Sequence, residues 1–478
     1  MAFMKKENYP KNKLIAIAIM LLSAIVRGYY VSYITVYKNQ YDGGEPYSLG
    51  GQLGYITWYL TKRRLPDFDV SKVDQFWHPP LHYFLSAEFL RVVWKLFPSQ
   101  YDNFELLQIL PFVYITVTIF LIWKILLFFN KEENSLELNA VLAFVALQPG
   151  LVIRSATINN DSLVLLMMTI IIYLALLWHK YGKWWQIISL AISFGLGLMS
   201  KKSAAITAIP LLVLGMDKLI RSIHEKNWIK MRQVLSQAGI FLIIAAPLGL
   251  WWYVRNYVLY DVSFNFFWNI EKGWEYEEYL GNMSVAKRLL GFDLGAFSYA
   301  NTYLQYKKNS LQDYNPLVAL LKTAVSDVWS WTYVDGRHKK LSYIMLVLRS
   351  VLTLAGVVSI PAFIRHGCIA DSNQSDNNGA GTSTIKALFN TVQNLAMIAF
   401  YVALLVSYYV FCFDYPYVWT MDYKYIEAIV ICEALFLLTW LNRNDSRKRK
   451  SMYLITMILI AAFCAASGLF FVVAKELF

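Results

Sequence analysis

The sequence predicts an all-α, polytopic membrane protein. Three observations carry that reading. Hydrophobic residues make up 57% of the 478 and charged residues only 16%, where a soluble chain carries roughly a quarter charged. Mean hydropathy is +0.41. Apolar runs close to the ~20 residues that cross a bilayer recur along the whole chain.

The first run, "LIAIAIMLLSAIV", follows lysines but no small-residue cleavage site comes after it, so it reads as an uncleaved first helix. Expected crossings are Leu14–Tyr37, Phe104–Phe129, Leu138–Ile153, Ser162–Trp178, Trp185–Ser200, Ala204–Met216, Ala238–Tyr260, Leu341–Ile364, Thr391–Phe413, Tyr425–Leu441 and Met452–Ala474. That is about eleven, with a broken or shallow pair expected around "MSKKSA".

Basic tracts orient the bundle. Lys5, Lys6, Lys11 and Lys13, then "HKYGKWW", "DKLIRSIHEKNWIKMR" and "RNDSRKRK", belong on the cytoplasmic side by the positive-inside rule. The low-complexity tract "DSNQSDNNGAGTSTIK" falls on the same side by alternation. The N-terminus is then cytoplasmic and the C-terminus external. This threading requires that Pro79–Phe97 not cross. Its Glu88, Arg91 and Lys95, and its initiating proline, suit an amphipathic or re-entrant helix at the outer surface instead.

Net charge is +12, but the excess lies in short tracts between apolar runs, which argues for membrane orientation and against nucleic acid. Cys368, Cys412, Cys432 and Cys464 have no metal-ligand spacing and no disulfide framework, so buried packing is the expected role for most of them. No internal repeat and no independently folding soluble domain is visible. Two regions are left outside, 38–103 and roughly 261–340, the second containing "DVWSWTYVDGRH", whose tryptophans suit a membrane interface.

The threading gathers polar residues at the outer face. Asp42 follows the first helix. Asp74, His78 and His82 flank "HPPLHY". Arg154, Asn159, Asn160 and Asp161 lie in "PGLVIRSATINNDSL", Lys201 and Lys202 in "GLMSKKSA", and Asp422 and Lys424 in "YVWTMDYKYIEA". Taken singly, each has a plainer reading. Asp42 in "YDGG" suits an Asx turn, Asp161 in "NND" a helix N-cap, His78 a loop residue before prolines, and the lysines and Arg154 snorkelling anchors. Together they mark a site, because charges beside membrane helices are costly.

The acidic residue after the first helix, the "YITWYLTKRRLPD" helix, the "PPL" turn, "NND" and the lysine-bearing "GLMSKKSA", in that order, resemble the GT-C superfamily. These are integral-membrane glycosyltransferases using polyprenyl-phosphate sugars, and the likeness is to the protein O-mannosyltransferase and aminoarabinose transferase groups. The resemblance covers about the first 260 residues. It implies a GT-C-like bundle with a catalytic membrane module over 1–260, an external region with interfacial helices over 261–340, and a variable membrane module over 341–478.

The resemblance also implies roles. Asp42 matches the general base. Asp161, with Asn160, Asp74 and His82, is a candidate for substrate or metal contact. His78, Arg154, Lys201 and Lys202 are candidates for holding the donor phosphate. A divalent metal on Asp42 and Asp161 is the one cofactor considered. Implied partners are a polyprenyl-phosphate sugar, a lipid, glycan or protein acceptor, and the bilayer. His78 stands where relatives carry Lys or Gln, and Gly43 and Gly44 replace the second acid of the mannosyltransferases' "DE" pair. The first departure bears on the contact of His78 with the donor phosphate, and the second weighs against protein mannosylation. The "YITWYLTKRRL" helix is expected to lie on the headgroups beside the donor. Two other classes fit such a chain: a secondary transporter, and a non-catalytic subunit of an envelope-polymer pathway.

Overall fold

The computed structural model describes residues 9–37, 42–130, 135–267, 279–298, 300, 313–326, 336–369, 391–444 and 450–477. The tract 371–386 and most of 327–338, for which a loop and an interfacial segment are expected, lie outside them. Among the described residues the chain is helical, 79% of it, with no strand.

Among the described residues eight helices are long and apolar enough to cross a membrane: Asn12–Val31, Phe104–Phe129, Asp161–Tyr181, Lys202–His224, Trp228–Tyr260, His338–Arg365, Val392–Asp414 and Lys450–Val473. A ninth is composed of Val418–Ile426 and Ile429–Asn444, bent by 65°. Two expected crossings are shorter than a span, Leu136–Ala146 and Trp184–Ser200. The count of eleven therefore rests on how those two are read.

The helices that position the site are α1 (Tyr9–Val31), α2 (Gly51–Lys62), α3 (Leu81–Leu96), α4 (Ile109–Phe129), α5 (Leu136–Ala146), α6 (Pro149–Arg154), α7 (Asp161–Tyr181), α8 (Trp184–Ser200), α9 (Ala208–His224) and α10 (Trp228–Tyr260). Beyond them lie α11 (Val285–Leu290), α12 (Pro316–Thr323), α13 (Gly336–Val358), α14 (Ile360–Ile369), α15 (Val392–Asp414), α16 (Ile429–Asn444) and α17 (Lys450–Val473).

Three elements depart from the expectation. The third crossing is broken: α5 ends at Ala146, and α6 restarts with Pro149 at its first position, which has no N–H to give. The sixth runs on to His224 and the seventh begins at Trp228, so the basic tract is a helical hairpin rather than a loop. Finally, α2 does not lie on a surface. Leu53, Tyr55, Ile56 and Tyr59 are buried, and Tyr55 stacks on Phe76 and Tyr83 with centroids 4.2 and 4.0 Å apart. Much of its apolar face packs on α3 and the loop between them, with Trp58 and Leu60 half-buried.

The segment expected not to cross is the 16-residue α3, packed against α2. Its Arg91 pairs with Glu88 and donates to the carbonyls of Tyr59 and Leu60, satisfying the open end of α2. Side-by-side packing of α8 and α10 depends on Gly195 and Gly249. A Cβ on Gly249 would come 3.2 Å from the Gly195 Cα and 2.7 Å from Leu198, and small residues are what let membrane helices approach this closely. Tyr253 then reaches the Leu198 carbonyl at 3.0 Å, fixing the end of α8 from which Lys201 departs. Cys412 and Cys432 are buried and Cys464 is half-buried, all three free.

Candidate active site

The site begins with the glycine loop "DGGEPYSLGG". Gly44 and Gly51 both have positive φ, +64° and +71°, and their backbones cross so closely that a Cβ on Gly51 would lie 2.6 Å from the Gly44 Cα. Only glycine fits there. The crossing lays residues 42–43 over the first turn of α2. Gln52 N–H donates to the Asp42 carbonyl and Leu53 N–H to the Gly43 carbonyl, each at 2.8 Å. The Gly51 N–H is bonded to the Asp74 carboxylate. Three of the four N–H groups that a helix leaves open are thereby used, and Asp42 is fixed with its side chain exposed.

Asp74 is mostly buried. Burial first, then the charge of Asp42, raise its carboxyl to about 6, although Gln75 and Gly51 bond it. The two acids are therefore close enough to feel each other.

The loop 155–160 is buried throughout, so its polar backbone must be satisfied by side chains. Gln108 Nε2 donates to the Ala156 carbonyl at 3.3 Å and His82 Nε2 bonds the Ile158 carbonyl at 2.7 Å. Asn160 reaches the Ser200 carbonyl at 3.1 Å, and Ser162 Oγ the Arg154 carbonyl at 3.0 Å. His82 is thus a brace for the loop before Asp161. Burial pushes its imidazole down to about 4, which leaves it neutral.

Asp161 opens α7 as its first residue, with no capping bond from the Asn160 side chain. Its carboxylate is divided between Lys201 and Asn159, the latter at 2.9 Å. Arg154 and Lys424 add their positive fields. Lys202 turns the other way, toward the carbonyls of Asn265 and Phe266 at 3.3 and 3.0 Å. Arg154 Nε lies 3.3 Å from Glu427 Oε2, and both side chains are buried. His78 is buried too. Desolvation, followed by the cations Lys201 and Lys202, holds it well below its ordinary value, so it offers a hydrogen bond rather than a charge.

Asp42, Asp74 and Asp161 converge. The fields of all three reach the Tyr83 hydroxyl, and those of Asp42, Asp161 and Asp422 reach Tyr425. Beside them a small cleft is lined by Trp77, His78, Lys202, Tyr253, Asn256 and Phe264. The structure thus brings the expected residues together, although Lys202 and His78 face this cleft more directly than they face Asp161. It also adds two contributors from the last third of the chain: Tyr425, over whose ring both Lys201 and Lys424 sit, at 5.6 and 5.2 Å, and Glu427. The sequence placed Lys424 at this face but gave Tyr425 and Glu427 no part. "YKYIEA" carries no motif; only a charged residue within an otherwise apolar run marks Glu427.

A metal does not fit what is present. Among the described residues no group of three or more His, Cys, Asp or Glu lies close enough to hold a metal ion, and both Asp161 oxygens are already engaged.

Residues 77–251 match the family described as dolichyl-phosphate-mannose-protein mannosyltransferase. The matched segment contains His78, His82, Arg154, Asp161, Lys201 and Lys202. Over those residues it bears out the resemblance to the protein O-mannosyltransferase group of the GT-C superfamily. Among solved structures the chain is similar to the Archaeoglobus fulgidus oligosaccharyltransferase in complex with Zn and sulfate, at 12% identity and a TM-score of 0.48, over 95% of this chain and 53% of that one. It is also similar to the AglB oligosaccharyltransferase of that organism in complex with an inhibitory peptide and a dolichol-phosphate (11%, TM-score 0.46, 96% of this chain and 56% of that one). ArnT from Cupriavidus metallidurans bound to undecaprenyl phosphate gives 10% identity and a TM-score of 0.33, over 88% and 76%. The chain spans about half the length of the two archaeal structures. No curated protein matches it.

Proposed function

We propose that this protein transfers a sugar from a polyprenyl-phosphate donor to an acceptor hydroxyl at the outer face of a cell membrane, with Asp42 as general base. One observation carries the reading: connections far apart in sequence bring Asp42, Asp74 and Asp161 and the cations Arg154, Lys201 and Lys424 within reach of one another's fields, and Asp161, Arg154 and Lys201 lie inside the segment matching a lipid-phosphate sugar transferase family.

Asp42 is the exposed carboxylate of the group, pinned by its backbone, and it takes the proton as the acceptor oxygen attacks the anomeric carbon. The bond from that carbon to the phosphate oxygen breaks, and polyprenyl phosphate leaves with the electron pair. A single displacement inverts the anomeric centre. Charge builds on the departing phosphate, where Lys202 at the cleft and Lys201 beside Asp161 provide compensation and neutral His78 a hydrogen bond. The aromatic walls of the cleft, Trp77, Tyr253 and Phe264, suit the first prenyl units. No step runs through a metal.

The 1–260 module would supply most of the chemistry, with the 341–478 module closing the site through 422–427. The region between them would sit at the membrane surface: Arg288 of α11 donates to the Cys412 carbonyl near the end of α15 at 2.8 Å, and neighbouring Leu289 and Leu290 are exposed.

The test is transfer of radiolabelled sugar from polyprenyl phosphate in proteoliposomes holding the purified protein. Release of polyprenyl phosphate with label on an acceptor supports the reading. Ion-coupled uptake without transfer would replace it with a transporter.

A further inference from the structure

We propose that Glu427 is a positioning residue for this site: its carboxylate holds Arg154, and through Arg154 the buried loop that ends in Asp161. The inference rests on the transfer reading only for its kinetic consequence.

Glu427 lies at the break between Val418–Ile426 and Ile429–Asn444, where the path of the chain turns by 65°. Its side chain is buried in the bundle. The partner, Arg154, is the last residue of α6. Its carbonyl accepts from Ser162 Oγ of α7 and from the Thr157 N–H at 3.3 Å. The arginine therefore anchors both ends of the 155–161 connection. Its side chain is directed to Glu427 and its backbone is tied to α7. α6 passes close to the pair at Gly150, where a Cβ would make ordinary contacts, 3.5 Å from Glu427 Oε1 and 3.4 Å from the Ala324 carbonyl.

Charge balance makes the carboxylate matter beyond packing. The fields of Arg154, Lys201 and Lys424 all act on Asp161, and those of Asp161 and Asp422 act on Glu427. Three cations meet three acids. With Glu427 neutralised, the Arg154 guanidinium keeps its charge and turns to the nearest remaining carboxylate, Asp161, in competition with Lys201. A buried cation robbed of its partner does not stay in place.

Two variants and two readouts test this in the full-length protein. Glu427→Gln keeps shape without charge, and Glu427→Asp keeps charge on a shorter arm. Backbone hydrogen exchange over 155–161 should be at least about tenfold faster in Glu427→Gln and near parental in Glu427→Asp, with 209–223 of α9 unchanged as a control for general loosening. In the transfer assay, with dolichyl-phosphate mannose as the probe, Glu427→Gln should lose about tenfold or more in kcat with donor KM within about threefold, the scale seen when a partner orienting a functional group is removed. Adding Arg154→Gln should cost little more, because the two act as one unit. Unchanged exchange over 155–161 overturns the proposal, as does a kcat within twofold of parental. If the parental protein turns over no dolichyl-phosphate mannose, that donor is ruled out, and the exchange result by itself decides whether Glu427 holds the loop.

Discussion

Asp74→Asn should raise stability above neutral pH and leave it unchanged in acid. The Asp74 carboxyl sits at about 6 in the folded protein, against an ordinary value of 3.8, chiefly through burial and then through Asp42. A group whose folded value lies above its unfolded value favours the fold while protonated. That contribution is complete below about pH 4 and is lost as pH rises through 6. Each unit is worth 1.36 kcal/mol, so the ionised carboxylate costs the fold at most about 3 kcal/mol, reduced to about 1–2 kcal/mol by solvent at this partly exposed position. Asparagine removes the charge and with it the cost. The assay is thermal unfolding of parental and Asp74→Asn protein in detergent from pH 4 to pH 8. The difference should be near zero at pH 4 and favour the variant by a few degrees at pH 8. A difference that stays flat across that range, or one that grows toward acid, would refute the argument that Asp74 is a strained, shared carboxylate.

Further outcomes follow from the same geometry. Gly51→Ala should destabilise by about 1–3 kcal/mol from the left-handed backbone alone, and by more from the clash with Gly44, while Gly239→Ala, with open space around it, should be neutral or slightly stabilising; thermal melts separate the two. Single cysteines at the exposed positions Ser99 and Glu225, on a background with the native cysteines removed, report the threading. Ser99→Cys should react with an impermeant thiol reagent from outside intact cells and Glu225→Cys only after permeabilisation. The reverse pattern would place Asp161 and its neighbours on the cytoplasmic side.

The bundle was legible because hydropathy at membrane length is a strong signal, and α3 was legible because Glu88, Arg91 and Lys95 within one helix forbid burial in lipid. The break in the third crossing could have been read from Pro149–Gly150, a pair that interrupts the apolar run. The reach of α9 to His224 could not, since Lys218 and Arg221 look like loop residues until Asp217 is seen pairing with Arg221 and His179. In α2, the alternation of basic and apolar residues suggested a lipid-facing helix. Whether an apolar face meets lipid or protein depends on what packs on it, and Phe76 and Tyr83 come from elsewhere in the chain. Glu427 shows the same limit at the site. Its partner is Arg154, more than 250 residues earlier, and no local pattern announces the pair. Arg27 is similar: this buried arginine of α1 donates to Ser23 and Thr116 and to the Ala146 carbonyl at the end of α5, where it helps hold the break that lets α6 carry Arg154.

The account stands on Asp42 as the base. Asp42→Asn keeps the size of the side chain and the backbone bonds from Gln52 and Leu53, so fold and donor binding should survive. Turnover of a polyprenyl-phosphate sugar by the purified, monodisperse variant in proteoliposomes should fall by roughly 10²–10⁴-fold, with donor affinity near parental. Transfer at close to the parental rate would contradict the assignment.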